Sequence, residues 1–337
     1  MANISEEAAN RIPLDFSSVK SLPDSHAWPH PGCSDGLSGS GSIPVVDLMD
    51  PNAMEAIGLA CESWGAFQLN NHGIPLSLIE QVEVQATRLF TLPAHRKFKA
   101  QRSPGSITGY GPALISPFFP KSMWHEGFTI IGSPSDHAKR IWPYDHARFC
   151  EIMENYQKQM KKLAEEVTRM ILKLVGVRDE EKEWVGSSES SGALQLNWYP
   201  PCPEPERAMG LAPHTDTSLL TILYQAQTSG LEILKQGEGW VPVRPHPGAL
   251  VVHAGDLLHV MSNARFPSVL HRVTVNRTRQ RYSFAYFYGP PQHCVISPPA
   301  FQNSVPRFRA LTVKEYMDIK ANNPDLALSS ITIASTH

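Results

Sequence analysis

The second part of this chain changes rhythm at Ala193, and that change restricts the possible folds more than any other feature. From there on, short stretches keep a period of two: ALQLNWY, LLTILY, LEIL, WVPV, ALVVH, LLHV, VLHRVTV and RYSFAYFY. Gly and Pro interrupt them at intervals of roughly ten residues. A period of two puts alternate side chains on opposite faces of a strand, and short strands with frequent turns build a sandwich or jelly roll.

The earlier part is expected to mix helices with a few strands. Ile43-Pro44-Val45-Val46-Asp47-Leu48 has the form of an edge strand, with its proline near the start, where a missing donor is tolerated. A helix is expected over about residues 52–63, then a strand over 66–69 closed by an Asn-Asn-His-Gly turn. Pro75 suits the first turn of a further helix, in which Leu78, Ile79, Val82, Ala86 and Phe90 recur at helical spacing. The longest helix is marked by Phe149, Ile152, Met153, Tyr156, Met160, Leu163, Val167 and Ile171, a stripe read as core packed against a sheet. Residues 21–42 are rich in Pro, Gly and Ser, lack apolar periodicity, and read as a mobile linker. The expected organisation is an N-terminal segment and linker over 1–42, a helix-and-strand region over 43–190, a β core over 191–300, and a C-terminal helix and tail over 301–337. The fold class is mainly β with helices packed outside.

A net charge of -2 gives no reason to expect nucleic acid as a partner. No apolar run is long enough to span a membrane, and MANISEEAANRIPLDF lacks the pattern of a secretory signal. The five cysteines are scattered, which favours reduced thiols and a cytoplasmic location over a disulfide framework or a zinc site. No obligatory protein partner is evident.

Within the period-two region, His214-Thr215-Asp216 places an imidazole and a carboxylate on one face if it lies on a strand. A second histidine would complete a 2-His-1-carboxylate set, which leaves positions open on iron(II). His271, in Val269-Leu270-His271-Arg272-Val273, is preferred over His253 and His259, although a core histidine bonded to backbone has the same appearance. The preference comes from Arg281-Tyr282-Ser283-Phe284-Ala285-Tyr286, ten residues on. Arg281 and Ser283 share a face, and an arginine pointing inward wants a carboxylate, which guanidinium binds through paired hydrogen bonds.

The order HTD, then His271, then RYS, preceded by Asn197-Trp198-Tyr199-Pro200-Pro201-Cys202-Pro203, resembles the plant 2-oxoglutarate- and iron(II)-dependent dioxygenases. The resemblance implies a double-stranded β-helix (jelly-roll) core. It also implies that His214, Asp216 and His271 hold Fe(II), that Arg281 and Ser283 bind the distal carboxylate of 2-oxoglutarate, that Tyr199 reaches the same cosubstrate, and that Asn197 stands beside the metal. Dioxygen would be the second cosubstrate and ascorbate the reductant.

Met123-Trp124-His125-Glu126-Gly127-Phe128-Thr129-Ile130, Arg207-Ala208-Met209-Gly210-Leu211 and Thr221-Ile222-Leu223-Tyr224-Gln225 are similar to the gibberellin 3-oxidases among them. That similarity implies hydroxylation at carbon 3, β face, of gibberellins such as GA9 and GA20, giving GA4 and GA1. His125 stands where serine is usual, and Val252-His253-Ala254-Gly255-Asp256 replaces V-N-V-G-D. Pro213 replaces an alanine, and Trp198 is unusually bulky; His125 and Trp198 are candidates to line the substrate pocket. An apolar tetracycle with a carboxylate calls for aromatic walls, for which Tyr110, Phe118, Phe119, Trp124, Phe128 and Tyr288 are available. The alternatives are a gibberellin 2- or 20-oxidase, a flavonoid oxidase, or an inactive jelly roll that binds the hormone.

Overall fold

The computed structural model describes residues 14–16, 18–29, 41–299 and 305–333. An eight-stranded sheet has the order β1-β2-β10-β7-β12-β5-β4-β3, and a four-stranded sheet the order β6-β11-β8-β9. The strands of the large sheet are β1 (Val45–Asp47), β2 (Ala66–Asn70), β3 (Gly109–Gly111), β4 (Glu126–Ile130), β5 (Ser191–Tyr199), β7 (Leu220–Gln225), β10 (Leu250–Ala254) and β12 (Arg281–Gly289). The small sheet has β6 (Leu211–His214), β8 (Leu231–Lys235), β9 (Gly239–Pro242) and β11 (His271–Val273). Together they form the jelly-roll core. Strands β1 to β4 come from the helix-and-strand region over 43–190, and they complete the same large sheet.

The large sheet has two different faces. On one, Leu194, Leu196, Ile222, Phe284 and Tyr286 pack with helix α3 (Ala147–Val175), whose Phe149, Met153, Tyr156, Met160 and Ile171 are buried in that cluster. On the other, Tyr199, Leu223, Val251 and Ala285 meet Leu231, Ile233, Val269 and Val273 of the small-sheet layer. Each apolar side chain so buried contributes about 1.5–3 kcal/mol. This division follows from the alternation along β12, where even-numbered residues face the helix and odd-numbered ones face the sandwich interior.

Helix α1 (Ala53–Trp64) ends at Gly65, whose φ is 65° and whose amide donates to Cys61 O. A Cβ on Gly65 would lie 2.4 Å from Pro267 O, so only glycine fits the turn. Helix α2 (Leu76–Phe90) follows Pro75 and buries Leu78, Ile79, Val82, Ala86 and Phe90, as the spacing predicts.

Two expectations are corrected. LLHV, read as a strand, lies in helix α4 (Asp256–Met261). Leu257, Leu258, Val260 and Met261 are all buried, so no polar face remains to mark the helical period. The stretch 21–42, read as a mobile linker, falls partly outside the described residues, but residues 21–29 pack on the core. Leu22 is buried in a cluster with Trp124, Cys202 and Ala208, and Trp28 Nε1 donates to Ser122 O. Its few apolar residues are irregularly spaced because they dock singly and form no regular element.

Candidate metal centre and buried arginine pocket

Strand β6 ends at His214, and His271 opens β11 directly opposite it. The tripeptide is therefore not a continuous strand. The chain leaves β6 after His214, and Asp216 reaches the same point from the following loop. The rings of His214 and His271 lie 4.2 Å apart, and one ligand atom from each of His214, Asp216 and His271 falls within 4.8 Å of the others.

The donor atoms are selected by backbone. Nδ1 of His214 donates to Ala212 O at 2.8 Å, and Nδ1 of His271 donates to Val269 O at 3.0 Å. Both Nε2 atoms then carry lone pairs, and they face Asp216 Oδ1 at 3.6 and 4.0 Å. Burial, reinforced by the neighbouring His271, pushes the His214 imidazole down to about 3, so it stays neutral. Burial works against the Asp216 carboxylate, but the imidazoles of His271, His253 and His214 and the Thr221 hydroxyl outweigh it and hold the carboxyl below its ordinary range. Two lone pairs and one anionic oxygen converging without an intervening proton suit a divalent cation and leave its remaining positions open.

The loop bearing Asp216 is held by residues to which the sequence assigns no role at the metal site. Thr221 Oγ1 donates to Asp216 Oδ2 at 2.5 Å, and the Asp256 amide donates to Asp216 O at 2.8 Å. Lys320, on helix α5 (Val313–Asn322), donates to both Thr215 O and Thr215 Oγ1 at 2.8 Å and also to Asp256 Oδ2. Tyr316 and Ser268 hydroxyls complete the Asp256 carboxylate at 2.8 and 2.6 Å. Helix α5 itself starts from Thr312, whose hydroxyl accepts from the Glu315 amide. Gly255 is required because a Cβ there would sit 2.0 Å from Ser218 O. The rival His253 lies at the same edge, with Nδ1 3.6 Å from Asp216 Oδ2, outside the group of three. His259 is elsewhere, donating to Phe266 O and packed on Phe308.

A cavity of about 1080 Å³ opens beside this centre, and its wall includes all seven residues singled out in the sequence: Asn197, Tyr199, His214, Asp216, His271, Arg281 and Ser283. Arg281 is 2% exposed and sits over the Tyr199 ring. It has no ion-pair partner among the described residues. Nη2 reaches Gln225 Oε1 only at 3.4 Å, while Nε and Nη1 are buried without a partner. Burial accordingly pulls its pKa down, with the Tyr199 hydroxyl opposing. A buried cation with two orphaned donors is costly unless an anion completes it, and the planar fork fits a carboxylate. Ser283, equally buried, is two residues along on the same face.

His125 lines the cavity, whereas Trp198 lies outside that lining, stacked on Phe90 and bonded to Gln280. Phe118 and Tyr288 also line it. Tyr110 and Phe128 are core, Trp124 donates to Pro200 O in a neighbouring cluster, and Phe119 packs on Trp28.

Residues 190–290 match the family model of the 2OG-Fe(II) oxygenase superfamily, and residues 43–147 match that of the non-haem dioxygenase in morphine synthesis N-terminal region. The chain belongs to the 2OG-Fe(II) oxygenase superfamily. It is 48% identical to gibberellin 3-beta-dioxygenase 1 of Pisum sativum, over 95% of this chain and 90% of that protein. It is 47% identical to gibberellin 3-beta-dioxygenase 1 of Arabidopsis thaliana, over 94% and 92%. Among solved structures it resembles JOX2 in complex with 2OG, Fe and JA, at a TM-score of 0.81 and 29% identity, over 99% of this chain and 98% of that one.

Proposed function

We propose that this protein is a dioxygenase that hydroxylates gibberellins at carbon 3 on the β face, converting GA9 to GA4 and GA20 to GA1. The observation that carries the reading is the buried Arg281 guanidinium, without an anionic partner among the described residues, in the same cavity as three converging metal donors. The similarity to curated gibberellin 3-beta-dioxygenases supports the substrate class. When bound, iron(II) supplies the oxidising chemistry, in which 2-oxoglutarate and dioxygen give succinate and carbon dioxide while a C–H becomes C–OH.

The chain's own residues do the rest. His214 and His271, through Nε2, and Asp216, through Oδ1, hold the ion at one edge of the cavity. Arg281 and Ser283 take the distal carboxylate of 2-oxoglutarate, with Tyr199 against the guanidinium and Asn197 against Ser283. An apolar wall that includes Ala113, Leu114, Ile115 and Phe118 suits a rigid tetracycle. The catalytic core is residues 191–300, with 43–190 completing its sheet and the helix in 301–337 bracing the metal edge. No helix among the described residues is long and apolar enough to cross a membrane, and Cys61, Cys150, Cys202 and Cys294 are free thiols, which suits the cytoplasm.

The test is product identity. Purified protein given Fe(II), ascorbate, 2-oxoglutarate and labelled GA9 should yield GA4 with one succinate per turnover. A 2-hydroxylated product, or no turnover of any gibberellin, would overturn the assignment.

A further inference from the structure

The hydrogen bonds leading to Ser283 have a direction, because a guanidinium that can only donate stands at their far end. Half-buried Arg102 donates through Nη1 to Pro112 O at 2.6 Å and through Nη2 to Thr129 Oγ1 at 2.8 Å. Thr129 is thereby left to give its own proton to Gln195 Oε1, at 2.5 Å. That orients the Gln195 amide, whose Nε2 donates to Leu196 O and to Asn197 Oδ1, both at 3.1 Å. His125 Nε2 donates to the same Asn197 oxygen at 2.8 Å. With two donors on its oxygen, Asn197 must present Nδ2 to Ser283 Oγ, at 3.4 Å.

Beyond Ser283 lies Arg281, which can only donate and whose guanidinium sits over the Tyr199 ring. The Asn197 bond therefore points at Ser283, and among the described residues the Ser283 proton has no protein acceptor. The route crosses neighbouring strands at paired positions, Thr129 opposite Gln195 and Asn197 opposite Ser283, so the ladders fix its spacing.

We propose that Arg102, Thr129 and Gln195 are positioning residues for the cosubstrate. By fixing the sense of the Asn197 amide, they hold the Ser283 hydroxyl as a donor toward the distal carboxylate of 2-oxoglutarate. The proposal rests on the assignment of Arg281 and Ser283 to that carboxylate. Without the relay the Asn197 amide can turn over, and Ser283 then spends its proton on Asn197 Oδ1 and faces the carboxylate with a lone pair.

The test is an anaerobic calorimetric titration of the full-length, iron(II)-loaded protein, without gibberellin. Two ligands are compared: 2-oxoglutarate, and 2-oxopentanoate, which has the same length but no distal carboxylate. Thr129→Val should weaken 2-oxoglutarate about fivefold, the cost of one misdirected hydrogen bond, and leave 2-oxopentanoate unchanged. Thr129→Ser should restore wild-type binding. Arg102→Met, at the half-buried start of the relay, should act in the same direction and carries the test if Thr129→Val does not fold. The proposal is overturned if these folded variants bind 2-oxoglutarate as tightly as the wild type, or if both ligands weaken alike. A wild type that binds 2-oxopentanoate as tightly as 2-oxoglutarate would instead remove the carboxylate assignment beneath it.

Discussion

Strand β11 carries His271 on three residues, whereas β12 carries Arg281 and Ser283 on nine. β12 is paired along its length with β5 and along most of it with β7, so its side chains are placed by regular ladders. β11 meets β6 with a register shift, and β6 stops at the first metal ligand. At the metal edge β11 keeps a regular ladder with β8, but Asp216 lies outside any strand and is placed by bonds through Thr221, Asp256 and Lys320. A second contrast follows. The metal donors have partners that fix their state, while Arg281 is left with buried donors unmet.

Arg281→Met should break this contrast most sharply. Affinity for 2-oxoglutarate should fall about a hundredfold, because a charge-assisted, forked contact is lost. The ligand-free protein should nevertheless be as stable as the wild type, or more stable by ~1–4 kcal/mol, because an uncompensated buried charge is gone. Calorimetric titration and thermal melts of the same preparation check the two signs together.

Lys320→Met is the reciprocal case. It strips a cation from the buried Asp256 and frees Thr215, between two metal ligands. Iron(II) affinity should fall about tenfold, as when a group that orients ligands is removed, and stability should drop by roughly 3 kcal/mol. Affinity for 2-oxoglutarate at saturating metal should not change. Competition with a chromophoric chelator measures the first effect, and a shift in 2-oxoglutarate affinity would show that the two regions are not independently placed.

The smallest effect concerns pH. Burial pushes His125 down to about 4 in the folded protein, from 6.5. The unfolded chain therefore binds the extra proton first. Its contribution to stability is present above pH 6.5 and is lost as pH falls toward about 4. His125→Gln keeps a donor for Asn197 and removes the titration, so its melting temperature should decline less over that interval. Identical acid limbs would mean that His125 does not titrate there.

The same comparison explains what could be read from sequence. β12 alternates without interruption, so spacing puts Arg281 and Ser283 on one face, and their occurrence with His214, Asp216 and His271 is what points that face inward. His214 and Asp216 were paired for a reason that the structure replaces, since the strand ends between them and loop contacts bring them together. Asp256 stands in a stretch compared with the family's V-N-V-G-D, but Lys320 carries no local signal, and nothing in the sequence pairs the two. Their partners lie 64 residues apart in sequence, and an ion pair over that separation has no periodicity. Helix α4 was misread for a related reason, because burial on all sides erases the pattern that distinguishes helix from strand. His125 was flagged as a departure and does reach the cavity; Trp198, flagged beside it, packs on Phe90 instead.

The brace from helix α5 also has a consequence for biosynthesis. A nascent chain that has emerged through His271 already contains every metal ligand, yet Tyr316 and Lys320 are still inside the ribosome or unmade. The ion's seat is thus among the last parts of the molecule to become rigid, and loading with iron belongs after translation has finished.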